Sequence, residues 1–367
     1  MPVALRVIDV DIPDALAFHV SLNTYGTPDP ERGFHRLAHE HRATLAIVPY
    51  SHHGNVEDGY APAAAAWYER FGPLFDGSAF QGLPRDAAPL DHFYLPLHES
   101  WPTRIRKAYA YKGTLDDHWR DAPPIEKAFP ESYAREWRET VRAIANRVEE
   151  RKWRTDFHVY LNNKSMYWKA DEDACWWSLD EPMFRDDFLA IAYFARLFRE
   201  GRKGSKAPLR FRIDLSRPEW RRDQLDGLID HDVISGVYRD HPRCVFGRGE
   251  DVWTYGTTLL SAHEARAWVV RSFLDGCDGV VPWQTVGSAE SWSKHEDTAV
   301  MLPKDGKAFA TLRLKMLRRG ELDVELLRLL LAKRKWTREE VRAHVSSFLA
   351  DPDRAEALRR AVLAAIE

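Results

Sequence analysis

The chain has 367 residues, enough to bury a full core as one large barrel or as two ordinary domains. Its 53 Lys and Arg nearly cancel 56 Asp and Glu, which excludes the broad electropositive surface that phosphate backbones require, so no nucleic-acid partner is expected. Three widely spaced cysteines, Cys175, Cys244 and Cys277, with no CxxC pair, indicate neither a disulfide framework nor a zinc knuckle.

The opening MPVALRVIDVDIP has no basic segment followed by an apolar run, and no stretch reaches membrane-spanning length. The expectation is a soluble chain with no membrane partner, cytoplasmic as it stands, with export left open. Fourteen Trp and a 12% aromatic share leave two readings, large core fillers or stacking platforms for flat ligand faces such as sugar rings.

In chain order, residues 3–11 (VALRVIDVD) alternate apolar and polar as a half-exposed strand or a linker does. Short apolar runs then follow at 15–22 (ALAFHVSL), 43–50 (ATLAIVPY), 91–97 (DHFYLPL), 156–161 (DFHVYL), 209–215 (LRFRIDL), 233–237 (VISGV), 251–255 (DVWTY) and 279–283 (GVVPW). Between them, residues 31–42, 63–71, 131–152, 184–199 and 262–274 read as helices, while the links after the fifth and sixth strands are less clearly helical. Eight strands alternating with helices predict a (β/α)8 barrel of the α/β class. An open doubly wound sheet is the alternative, but no GxGxxG or GxxxxGK[ST] turn is present to hold a nucleotide phosphate.

Residues 311–331, 337–349 and 353–366 read as further helices with apolar stripes, packed on the barrel wall. The predicted organisation is therefore a strand or linker at 1–13, a catalytic barrel at 14–307 and carboxyl-terminal helices at 308–367.

Catalytic groups of such barrels emerge at the carboxyl ends of the strands. Polar and aromatic residues cluster there: Asn23 and Tyr25; Tyr50, His52, His53 and Asn55; His98, Glu99 and Trp101; Asp214 and Arg217; Trp253 and Tyr255; Trp283 and Gln284. A polar cleft with aromatic walls suits a carbohydrate substrate. The sharpest feature is WWSLDEP at 176–182, whose adjacent carboxylates Asp180 and Glu181 stand in a turn before a helix, where they can converge on one ligand. Trp177 flanks them as a candidate stacking surface. The structural alternative is that Asp180 caps that helix and Glu181 decorates its first turn.

Glycosidic cleavage usually takes one protonated carboxyl group and a second carboxylate from an opposing strand. The seventh strand ends WTYG, with no carboxylate. Substrate-assisted hydrolysis escapes that requirement, since the 2-acetamido oxygen of the sugar is the nucleophile and an Asp-Glu pair can supply both the acid and the orienting carboxylate. Two alternatives stay open: a conventional glycosidase acting on a non-acetamido sugar and pairing Glu181 with Asp214 or Glu99, and a barrel that binds carbohydrate without turnover. No HExxH or closely spaced ligand set appears among His19, His52, His53 and His98, so neither metal nor cofactor is expected.

Over nearly its whole length the sequence resembles the catalytic domains of glycoside hydrolase family 123 and their uncharacterised relatives. The resemblance rests on SLNTYG at 21–26, LAHEHRATLAIVPYS at 37–51, DHFYLPLHESWP at 91–102, WWSLDEP at 176–182, RIDLSRPEW at 212–220, VWTYG at 252–256, DGVVPWQTVG at 278–287 and LRLKMLRRGELDVELL at 312–327, in that order. It implies a retaining exo-β-N-acetylgalactosaminidase that works through an oxazolinium-type intermediate formed by the substrate. By that resemblance Asp180 would orient the acetamido group, Glu181 would be general acid then base, and Trp253 and Tyr255 would line the sugar pocket. Members commonly carry an amino-terminal β-sandwich; here residues 3–11 resemble only the end of its linker.

Overall fold

In β4 (Asp156–Tyr160) and β5 (Leu209–Leu215) two side-chain sets alternate. Phe157, Val159, Phe211 and Ile213 join a buried cluster with Val141, Ile144, Phe194 and Phe198 of the surrounding helices. The intervening Asp156, His158, Tyr160, Arg210, Arg212 and Asp214 face the other strands. Alternate side chains of a strand point to opposite faces, so at these two strands the wall is apolar outside and polar inside.

The computed structural model describes residues 10–48, 60–98, 124–161, 177–221, 223–236, 250–256, 261–294, 296, 298–349 and 355–366. The sheet contains β1 (His19–Thr24), β2 (Thr44–Ile47), β3 (His92–Tyr94), β4, β5, β6 (His231–Ser235), β7 (Asp251–Gly256) and β8 (Gly279–Pro282). Every neighbouring pair is parallel, in the order β2-β1-β8-β7-β6-β5-β4-β3. Pairing of β1 with β8 rolls the sheet up, and β2 lies beside β3 at the seam. The fold is the predicted (β/α)8 barrel with additional carboxyl-terminal helices.

The helices of the wall are α1 (Glu31–Glu40), α2 (Tyr60–Phe75), the short α3 (Ile125–Ala128), α4 (Glu131–Arg151), α5 (Arg185–Gly201) and α6 (Ala262–Leu274). After β5 the chain makes only two 3-10 turns, Pro218–Trp220 and Asp223–Leu225, in place of a helix. The carboxyl-terminal helices are α7 (Leu312–Arg334), α8 (Arg338–Leu349) and α9 (Ala355–Ile366). Gly320 lets α7 approach α6, for a Cβ there would lie 2.8 Å from the Val269 Cβ. Buried ion pairs Arg42–Glu321 and Arg266–Asp323, each at 2.6 Å, tie α7 to the barrel.

Several predicted bounds shift for local reasons. The first ladder begins at His19, because the preceding Leu16 and Ala17 amides donate to the Asp91 and Glu325 carboxylates instead of to a strand. The sixth strand starts two residues earlier than its apolar run, since His231 and Asp232 pair with Arg212 and Ile213. A hairpin of β9 (Met301–Lys304) and β10 (Lys307–Ala310), absent from the predicted elements, spans the expected 307/308 boundary. Its turn places Asp305 and Gly306 at φ 49° and 69°, the left-handed pair that an Asp-Gly dipeptide supplies. Residues 3–9 lie outside the described residues. Among the described residues no helix is long and apolar enough to cross a membrane.

Candidate active site

The inward-facing side chains stack in tiers. At the amino ends of the strands Arg210 bridges Asp156 and Asp251 at 3.1 and 2.5 Å. Above this ionic floor, His19, His92, His158 and His231 pack around the indole of Trp253, with ring centroids 4.3–5.6 Å from it. His92, His158 and His231 are buried and His19 is partly buried, and desolvation lowers all four pKa values. Nδ1 of His19, both nitrogens of His92, Nδ1 of His158 and Nε2 of His231 meet no hydrogen-bonding partner among the described residues.

One pleat further along the strands lie Tyr94, Tyr160, Arg212 and Tyr255. Arg212 is fully buried, and its fork grips both oxygens of Asp214, at 2.6 and 2.7 Å. The guanidinium also donates to the Tyr94 hydroxyl and lies over the rings of Tyr94 and Tyr160, 5.0 and 4.8 Å from their centroids. Burial disfavours the Arg212 cation, but Asp214 and the tyrosines more than offset this, and its pKa is raised. Tyr94 in turn donates to Asn23 Oδ1 at 2.9 Å.

The carboxylate pair sits above this tier. Tyr160 donates to Asp180 Oδ1 at 2.9 Å, and Tyr255 donates to Glu181 Oε1. Burial, then the contact with Glu181, pushes the Tyr255 pKa up, so the phenol stays a donor throughout the ordinary pH range. Glu181 has φ 54°, a left-handed conformation uncommon for a residue with a side chain. That reversal lets two consecutive carboxylates reach tyrosines on different strands. Asp180 is buried and Glu181 half-buried.

Asp180 does not cap the helix that follows. Asp187 does: its Oδ1 accepts from the Ser178 amide and its Oδ2 from the Met183 and Phe184 amides, each at 2.9 Å. One carboxylate, itself in the first turn of α5, thus holds the chain entering the helix and clamps the turn carrying Asp180 and Glu181, whose own carboxylates face the barrel.

The other predicted site residues divide. Asn23, Asp214 and Tyr255 belong to this network. Tyr25, 42% exposed, meets Trp283 edge to face at 5.7 Å on the β1–β8 side of the mouth. Trp177 does not line the mouth: it is 2% exposed and packs toward Phe129 in the core between helices and wall. Trp253 also lies below the pocket, within the imidazole tier, because Tyr255, two residues on, takes the upper position of the same face. His98 is buried, and its carbonyl accepts from the Trp137 indole at 3.4 Å. Tyr50, His53 and Glu99, with His52, Asn55, Trp101 and Trp176, lie outside the described residues.

Tyr94, Tyr160 and Arg212 escaped the sequence reading. Their signal was present in DHFYLPL, DFHVYL and LRFRIDL, where polar residues at every second position mark an inward face once both sides of the sheet are buried. Among the described residues no group of three or more His, Cys, Asp or Glu is arranged to hold a metal ion.

No family model matches the chain. No curated protein matches it in sequence. Among solved structures it is similar to the β-galactosidase of the psychrophilic Marinomonas ef1, at 10% identity over 88% of this chain and 61% of that one, with a TM-score of 0.51. It is also similar to a xylanase of family 10 from Bispora sp. MEY-1, at 9% identity over 84% and 97% with a TM-score of 0.47. A family 123 glycoside hydrolase from Clostridium perfringens overlaps it at 14% identity over 65% of this chain, with a TM-score of 0.44. The chain spans 45% of that enzyme's length. What the overlap with the β-galactosidase shows is a shared barrel architecture.

Proposed function

We infer that this chain is a glycoside hydrolase that removes a terminal β-linked N-acetylhexosamine, with N-acetylgalactosamine favoured, by a retaining, substrate-assisted mechanism. The observation that carries the reading is the convergence of Asp180 and Glu181 on the barrel mouth, each held by a tyrosine from a different strand. Glu181 is assigned as the acid that protonates the leaving oxygen and then as the base that activates water. Asp180 is assigned to orient the 2-acetamido group and to stabilise the positive charge that develops as its oxygen attacks the anomeric carbon.

Asp214 is a poor nucleophile in this setting, because both its oxygens are gripped by the buried Arg212 fork. This favours a nucleophile that comes with the substrate.

The test is an aryl-glycoside panel comparing acetamido with hydroxyl sugars at position two, together with Glu181→Gln. Cleavage confined to acetamido sugars, inhibition by a thiazoline analogue of N-acetylgalactosamine, and loss of turnover in a folded Glu181→Gln protein are expected. Near-normal activity of that variant, or preferred cleavage of a plain hexoside, would refute the assignment.

A further inference from the structure

Six large apolar side chains are exposed among the described residues, and three of them, Tyr25, Phe184 and Trp220, lie on segments that leave the carboxyl ends of β1, β4 and β5. Trp292 and Phe309 are accounted for by each other, edge to face at 5.7 Å, and by the Trp292 indole donating to the Pro303 carbonyl. Trp220, 40% exposed, meets no such aromatic partner among the described residues.

Trp220 is held in a built position. It ends the turn Pro218–Trp220, whose first residue has a fixed φ. The next residue, Arg221, is buried and anchors the turn through Asp232 and, at 2.8 Å, Glu250. The Arg217 guanidinium lies 4.8 Å from the Trp220 ring centroid, and its Nη1 is 3.3 Å from Met183 Sδ. Met183 is two residues beyond Glu181, so platform and carboxylate share one edge of the mouth. Arg217 forms no ion pair with a carboxylate among the described residues.

We propose that Trp220 and Arg217 form a leaving-group subsite beside Glu181 for a pyranose that carries a carboxylate or sulfate. The assignment rests on the hydrolase reading above, in which Glu181 faces the departing oxygen. The apolar face of that sugar stacks on the indole, and its anionic group meets the guanidinium. Trp220 then governs whether a second sugar is held, and Arg217 which kind. The enzyme's preferred substrate becomes an acidic glycan bearing a terminal N-acetylhexosamine.

Steady-state kinetics decide it with three substrates: an aryl β-N-acetylhexosaminide, a neutral disaccharide with the same terminal sugar, and that disaccharide with a uronic acid or sulfated second residue. Trp220→Ala is expected to lower the ratio of disaccharide to aryl-glycoside kcat/KM roughly tenfold. Arg217→Met is expected to abolish the preference for the acidic over the neutral disaccharide, about fivefold to tenfold at low salt. Unchanged ratios in both variants overturn the subsite. If the unmutated protein hydrolyses none of the three, the hydrolase reading fails instead, and calorimetry decides the subsite. Tighter binding of the acidic disaccharide that is lost in both variants supports it, and equal binding by all three proteins overturns it.

Discussion

The Tyr160 hydroxyl lies 2.9 Å from Asp180 Oδ1 while its ring is covered by the Arg212 guanidinium, so one phenol joins a mouth carboxylate to a buried cation. Tyr160→Phe deletes only the donor. A hydrogen bond to a charged group contributes about 1.5–3 kcal/mol, so kcat should fall roughly 10- to 150-fold. Steady-state kinetics beside a melting curve check this. A loss confined to KM would mean that the bond does not orient Asp180 for the chemical step.

Glu181 is held in a left-handed backbone conformation. Glycine adopts that conformation without a Cβ penalty, so Glu181→Gly should stabilise the fold by on the order of 1 kcal/mol while eliminating turnover. Urea denaturation gives the first quantity and an activity assay the second. A less stable variant would show that the Glu181 side chain repays its backbone strain through Tyr255.

Arg212 and Asp214 are a buried pair whose members fail differently. Arg212→Met strands the Asp214 charge in the barrel and should cost about 3–5 kcal/mol. The double variant Arg212→Met, Asp214→Leu removes both charges and should recover a substantial part of that loss. Denaturation of the three proteins reads the coupling directly, and simple additivity would show that the pair is not isolated from solvent.

Stability should fall on acidification below about pH 6.5. His19, His35, His39, His41, His92, His158 and His231 all have pKa values lowered by burial, His35 and His39 to about 4. The unfolded chain then binds more protons than the folded one, so this stability is complete above the unfolded value near 6.5. It is lost as pH falls below that value, at up to about 1.4 kcal/mol per pH unit for each histidine that stays neutral in the fold. Asp91, Asp156, Asp251 and Asp278 moderate the effect at His19, whereas Arg212 strengthens it at His92, His158 and His231. Glu321, raised to about 7 by burial, works oppositely and destabilises as pH rises from 4.5 through 7. Urea midpoints between pH 7.5 and 5 should drop, and His158→Leu should flatten the slope. A flat profile in the unmutated protein would mean that the tier is already protonated or hydrated.

The strands were legible because apolar residues recur at every second position of an outward face, as at Phe157, Val159 and Leu161. Strand ends were less so, since what stops a ladder is often distant: the Asp91 and Glu325 carboxylates hold the Leu16 and Ala17 amides ahead of β1. Asp180 and Glu181 were legible as a pair. Their separation from helix capping was not, because Asp187 performs that role from six residues beyond Glu181. An indole's burial was equally hidden at Trp177, which lies in the core between helices and wall, and at Trp253, where Tyr255, two residues on, takes the upper position of the same face.

The partition of strands such as β4 and β5 into an apolar outer face and a polar inner face also separates two kinds of evolutionary freedom. Cohesion resides in the contacts between wall and helices, where a change of a single methylene is felt. The lumen holds imidazoles, phenols and the guanidinium groups of Arg210 and Arg212, whose exchange alters charge and shape and spares the sleeve around them where paired charges such as Arg212 and Asp214 change together. A lineage built this way can be recut from within, acquiring a new ligand by rewriting alternate letters of its strands while the intervening letters stay as they were.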